Sequence, residues 1–151
     1  MKRKIIRLIL IATLAFAVFK FILAPVWITG LSMEPTYHNG RLIFINRLIY
    51  LRRPPARGEV VAIRTSGLEV MYLKRVVALP GESLEIDNGL VKINGKLLAE
   101  PYVTKRQPWQ VPTVTLEPDE YYVIGDNREN DAANHLFGRV AIERIVGRAL
   151  W

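Results

Sequence analysis

The first 33 residues hold five cations, Lys2, Arg3, Lys4, Arg7 and Lys20, and no acid, and from Ile5 to Ile28 the chain is apolar except for Arg7, Thr13 and Lys20. A helix rising 1.5 Å per residue needs about 20 residues to cross roughly 30 Å of hydrocarbon, so this run is just long enough to span. The expectation is one N-terminal transmembrane helix, with the Lys20 ammonium snorkelling to an interface and Pro25 and Trp27 marking the far boundary. The basic tip then stays cytoplasmic and everything beyond about residue 28 lies outside. The chain divides accordingly into an anchor over 1–28 and an extracytoplasmic domain over 29–151, a single-pass protein of the cell membrane. A cleaved secretory signal would share the basic start, the apolar run and Ala15-Phe16-Ala17. Against it, apolar residues resume with Val18, Phe19, Phe21, Ile22 and Leu23, as in an anchor.

Locating the charge also disposes of a nucleic-acid reading. The formal net charge is +7, but the N-terminal cluster accounts for most of it and leaves +2 for the remainder, too little for a basic binding face. The 151 residues, half of them apolar, allow one soluble domain with its own core beside the anchor. With no cysteine there are no disulfides and no thiolate metal sites.

After residue 40 no helical periodicity is sustained, whereas β-branched runs bounded by turn residues recur, so the domain is expected to be mainly β, with antiparallel sheets. The candidate strands are Leu42–Ile45, Glu59–Ile63, Val70–Ala78, Leu84–Ile86, Leu90–Ile93, Tyr121–Ile124 and Ile145–Ala149. Asn88-Gly89 and Asn94-Gly95 suit two-residue turns that need positive φ, and predict a small meander from Ser83 to Leu98. Arg52-Arg53-Pro54-Pro55 reads as an extended surface loop with solvated arginines. Thr104–Pro112 reads as a second irregular loop, in which Trp109 either touches lipid or substrate or packs the loop onto its own domain.

For chemistry the candidates are Ser32, a few residues past the apolar segment, and Lys74, in the apolar run Met71–Leu79. A serine hydroxyl needs a base to take its proton, and the usual base is histidine. Only His38 and His135 are available; His38 lies in the turn-like Tyr37-His38-Asn39-Gly40, and neither histidine sits in a ligand-spaced cluster. A lysine can serve if burial keeps it neutral, although a strand lysine ordinarily faces water.

Four blocks in order across nearly the whole chain complete a pattern. They are Gly30-Leu31-Ser32-Met33-Glu34-Pro35-Thr36, Arg57-Gly58-Glu59-Val60-Val61, Lys74-Arg75-Val76-Val77-Ala78-Leu79-Pro80-Gly81-Glu82, and Gly125-Asp126-Asn127-Arg128. With an anchor in front, the chain resembles type I signal peptidases, membrane-anchored Ser/Lys endopeptidases that remove signal peptides from exported proteins. The short interval from Ser32 to Lys74 is similar to that of compact members lacking a large inserted subdomain. The resemblance implies a signal-peptidase-like antiparallel-sheet catalytic domain that needs no cofactor or metal. Its partners would be precursor proteins with signal peptides and the lipid bilayer, with cuts after small residues; oligomeric state is left open.

Residue by residue, the resemblance implies that Ser32 attacks the scissile carbonyl while Lys74 accepts its proton and later protonates the leaving amine. The Ser32 N–H would donate in the oxyanion hole; Gly30 stands where many members carry a second, hydroxyl donor, as it does in compact members. Met33 would border the pocket for the small residue before the cut, or simply fill core space. Arg75, Asp126, Asn127, Arg128 and Asp131 would support the site structurally. The last block departs from the family pattern. After Asn130 members usually continue with serine, any residue, aspartate, serine and arginine, whereas here stand Asp131, Ala132, Ala133, Asn134 and His135. Asp131 thus replaces the serine that orients the lysine, and a carboxylate within about 4–6 Å would favour the charged amine. A specialised maturation protease for a narrow precursor class, or a catalytically silent relative that binds precursors or membrane partners, fits that departure too. A soluble stress-response autoprotease with the same dyad would carry a DNA-binding or regulatory segment in place of an anchor.

Overall fold

The computed structural model describes residues 2–64, 71–129 and 138–150, without the side chains of residues 20 and 21. Asp131, His135 and Val70 lie outside the described residues.

Helix α1 runs over Lys2–Ala17 and buries none of its residues. A single π-helical turn, Val18–Ile22, follows, and the chain then passes directly into strand β1, Leu23–Trp27. The apolar run expected as one helix to Ile28 is therefore helical only to Ile22. Pro25 explains the change: it cannot donate a helical bond and would crowd the preceding turn, but on the outer strand of a sheet its missing N–H costs nothing. β1 pairs antiparallel with β2, Leu42–Asn46, from Leu23 opposite Asn46 to Trp27 opposite Leu42. Among the described residues no helix is long and apolar enough to cross a membrane.

The remaining strands are β3 Val60–Arg64, β4 Met71–Ala78, β5 Ser83–Asp87, β6 Leu90–Ile93, β7 Lys96–Leu97, β8 Val111–Thr115, β9 Glu120–Ile124, β10 Gly138–Ala141 and β11 Ile145–Leu150. Among the described residues every pairing between these strands is antiparallel. One sheet has the order β1-β2-β11-β3-β4-β9-β10 and the other β7-β6-β5-β8. The expected meander is present, with Asn88, Gly89, Asn94 and Gly95 all at positive φ in its two turns. β8 was expected as loop up to Pro112; it forms at the outer position of its sheet, where a proline is tolerated. β10 also lacked a pattern, being only Gly-Arg-Val-Ala.

Alternation along the strands sends side chains into three cores. On β3, Val60 and Ala62 join Ala24, Ile43, Ile45 and Ala149, together with Met33 and Tyr37 from the loop after β1. Val61 and Ile63 point the other way, among Val76, Tyr121, Val123, Val140 and Ile145. The third core joins the two sheets: Val77, Ala78, Tyr122 and Ile124 meet Leu84, Ile86, Val91 and Ile93. Trp109 closes this core and is 4% exposed, so it packs its loop onto its own domain. β11 approaches β2 so closely that a Cβ at Gly147 would lie 2.4 Å from the Asn46 carbonyl oxygen, which leaves room for glycine alone.

Candidate active site

Ser32 lies five residues beyond β1, at the start of a hydrogen-bonded turn in which Glu34 N donates to the Leu31 carbonyl and Tyr37 N to the Met33 carbonyl. Met33 and Tyr37 plug this turn into the core below, leaving Ser32 half-buried above it. Gly30, before it, sits at φ 106°, a conformation costly for a residue with a Cβ. Its N–H donates to Asn39 Oδ1 at 3.0 Å, fastening the two ends of the loop. The Gly30 N–H is thus engaged within the loop.

Lys74, in the middle of β4 opposite Val61, is 3% exposed. Its Nζ donates to Ser32 Oγ at 2.9 Å. No carboxylate forms an ion pair with it among the described residues. Burial pushes its pKa down from the ordinary lysine value to about 8, against the opposing pull of the nearby Asp126 carboxylate. The arrangement joins a hydroxyl to an amine that can lose its proton near neutral pH.

Arg75, the next residue, has the opposite environment. Nε and Nη2 donate to Asp126 Oδ1 and Oδ2 at 2.8 and 2.5 Å, Nη1 donates to the Gly58 carbonyl, and the guanidinium lies 4.0 Å from the centre of the Tyr102 ring. Asp126 also accepts from Thr36 Oγ1 at 2.5 Å, which ties the serine loop to the lysine strand. The expected Arg75–Asp126 pair therefore forms, with Asp126 buried and Arg75 partly so.

Asn127 N donates to the Ser32 carbonyl and its Nδ2 to the Leu31 carbonyl, both at 3.1 Å. Arg128 turns inward instead. Its Nε donates to the Gly125 carbonyl, its Nη2 to Glu100 Oε1 at 2.7 Å, and the guanidinium lies 5.7 Å from the Trp109 ring centre. Successive residues of Gly125–Arg128 thus hold three parts of the molecule: the lysine strand, the serine loop and the segment leading to Trp109. Of the predicted site residues, Ser32, Lys74, Met33, Arg75, Asp126 and Asn127 converge; Arg128 faces the domain interior, and Asp131 lies outside the described residues. Glu100, Tyr102 and Thr36 were missed. Nothing around Ala99-Glu100-Pro101-Tyr102 signals that its acid is buried. Thr36 could have been found, since it stands within the nucleophile block.

A narrow cleft beside Ser32 is lined by Val26, Ile28, Gly30, Met33, Met71 and Leu73 among others, with a volume of about 50 Å³. Met33 is 2% exposed, so it serves both the cleft wall and the core. His38 stands apart from the site and pairs at the surface with Glu34 at 2.7 Å, whereas His135 lies outside the described residues. Among the described residues no group of side chains could hold a metal ion. Two arginines read as solvated loop residues divide, because Arg53 bonds Glu59 whereas Arg52 is exposed.

Comparison with known proteins agrees with this arrangement. The profile of the signal peptidase family, peptidase S26, matches residues 1–151. The chain is 33% identical over 142 residues to a probable signal peptidase I-2 of Synechocystis sp., covering 90% of this chain and 65% of that relative. It is 35% identical over 152 residues to a signal peptidase I of Bacillus amyloliquefaciens, covering 93% and 78%. The crystal structure of a signal peptidase I from Enterococcus faecalis V583 superposes with a TM-score of 0.50 at 28% identity, over 64% of this chain and 97% of that one. With the fold, the four blocks and these relatives in agreement, the chain belongs to the signal peptidase family, peptidase S26, the serine endopeptidases that remove signal peptides from secreted precursors.

Proposed function

We propose that this chain is a membrane-anchored signal peptidase whose nucleophile is Ser32 and whose general base is Lys74, and that it cuts exported precursors after small residues. The observation that carries the reading is the 2.9 Å contact between a half-buried hydroxyl and a buried amine whose ammonium form burial disfavours. The neutral amine takes the Ser32 proton as Oγ adds to the scissile carbonyl. The Ser32 N–H stabilises the oxyanion, and the resulting ammonium protonates the departing amine as the C–N bond breaks. Lys74, neutral again, takes a proton from water; the hydroxide adds to the acyl carbon, Ser32 Oγ leaves and recovers its proton. No cofactor is required. The cleft beside Ser32, walled by Met33, Met71 and Leu73, is where the side chain before the cut would sit.

The anchor reading rests on α1 and the turn after it. Ile5, Ile6, Leu8, Ile9, Leu10, Ile11 and Leu14 are each more than half exposed and no acid lies near them, a surface that lipid would cover. The α-helix alone rises about 24 Å, and bilayer thinning and snorkelling cations bridge the difference from roughly 30 Å. Residues 1–22 then form the anchor with Lys2, Arg3, Lys4 and Arg7 on the cytoplasmic side, and the β domain works on the outer face. On this reading Leu23–Trp27, first counted with the anchor, belong to the domain.

The test is cleavage of a membrane-presented precursor bearing an Ala-X-Ala site by purified protein in detergent, across pH 6–10, beside Ser32→Ala. Cleavage that vanishes in the variant supports the reading. Folded wild-type protein that binds precursor but never cuts it would instead establish the silent relative.

A further inference from the structure

We propose that Tyr102 and Glu100, outside the four family blocks, are positioning residues for the Ser32–Lys74 pair, acting through Arg75; the inference rests on the Ser/Lys reading above. A guanidinium is planar, so it can be held at its edge by hydrogen bonds and on its face by a ring. The edge of Arg75 is occupied by Asp126 and the Gly58 carbonyl. Its face is covered by Tyr102 at 4.0 Å, which opposes the tilting that edge bonds alone would permit.

Tyr102 is itself braced. Its hydroxyl donates to Glu100 Oε1 at 3.1 Å, and Glu100 is shared by Arg128 Nη2 at 2.7 Å and Arg106 Nη2 at 3.4 Å. Arg128 returns to the Gly125 carbonyl, one residue before Asp126. The contacts therefore close a ring: Arg75, Asp126, the turn to Arg128, Glu100, Tyr102, and Arg75 again. Asn127, inside that turn, holds the Ser32 and Leu31 carbonyls, and Asp126 holds Thr36. Displacing Arg75 would therefore move the serine loop relative to Lys74, and a shift of about 1 Å at reacting atoms is enough to slow chemistry strongly.

The ring also governs charge. Among the described residues Asp126 is the charged group acting on Lys74; Asp126, Tyr102 and Tyr37 act on Arg75; and Arg128, Arg106 and Tyr102 surround Glu100. Loosening Arg75 leaves the Asp126 charge less compensated at Lys74. The ammonium is then favoured and the pH midpoint of the rate moves upward.

The test compares Tyr102→Leu, Tyr102→Phe and Glu100→Gln in the full chain in detergent micelles, recording kcat, KM, the pH midpoint of kcat and thermal melting. Tyr102→Leu is expected to lower kcat about tenfold with KM within about twofold, and to raise the pH midpoint by several tenths of a unit. Tyr102→Phe, which keeps the ring, should lose about threefold or less. Wild-type kcat and midpoint in Tyr102→Leu would overturn the proposal, as would a loss of kcat that follows melting while the midpoint stays fixed. If Tyr102→Leu does not fold, Glu100→Gln, which loosens the brace behind the ring, decides it: a raised midpoint supports positioning and an unchanged one refutes it. Undiminished cleavage by Ser32→Ala would fell the Ser/Lys reading beneath it, an outcome distinct from any of these.

Discussion

Lys74 and Arg75 are neighbours on one strand, both cations and both removed from water, yet their surroundings are opposites. Around Arg75 the protein has assembled a bidentate carboxylate, a carbonyl and an aromatic face, so its charge is fully compensated. Around Lys74 it offers a hydroxyl, and Asp126 acts only from a distance. The contrast shows how strand alternation lets one segment carry, one residue apart, a cation that is given partners and an amine that, among the described residues, is given no ion pair. On the Ser/Lys reading the first charge must persist and the second must be lost.

The comparison is broken most severely at Lys74. Lys74→Met should reduce cleavage about 10^4-fold or more while leaving the fold intact, checked by turnover beside circular dichroism. The same substitution one residue on should act in reverse. Arg75→Met strands the Asp126 carboxylate in a dry site and should destabilise the protein by about 3–5 kcal/mol in denaturant titration.

A pH series sharpens the contrast. The rate should rise with pH through a midpoint near 8 as Lys74 loses its proton. Its folded pKa lies below that of an unfolded lysine, so between about 8 and 10.5 the unfolded chain binds more protons and stability rises with pH. The penalty is therefore present in full below about 8 and is relieved towards 10.5, by roughly 3 kcal/mol. Lys74→Met should lack this rise and be the more stable protein at pH 7, as differential melting would show. The smallest effect belongs to the surface His38–Glu34 pair, where His38→Ala should leave the melting temperature close to wild type and change turnover by less than about twofold.

What could be read beforehand follows from which interactions are local. The seven candidate strands and both Asn-Gly turns were visible because alternation and positive φ leave a mark within a few residues. The meeting of Ser32 and Lys74 was legible because the block spacing carries it. β1 was hidden inside an apolar run that suits a helix as well, until its pairing with β2 decides the matter. Glu100 was hidden for another reason. A lone glutamate beside a proline looks like any loop acid, and its burial is compensated by Arg128, arriving from 28 positions away, together with Arg106 and Tyr102. Arg128 was predicted as support for the site, and its block did not reveal that it faces Glu100 and Trp109.

The passage from α1 into β1 through one π-helical turn has a consequence for which bonds can be reached. A flexible tether would let the nucleophile sample many heights. Here the helical segment ends where a sheet strand begins, and Arg47 N bonds the Ile22 carbonyl at that junction. β1 advances about 17 Å before the loop that bears Ser32. On the anchored reading the chain then works as a ruler: it selects the scissile bond by its height above the lipid as well as by its side chains. A residue inserted at the junction would reset the scale.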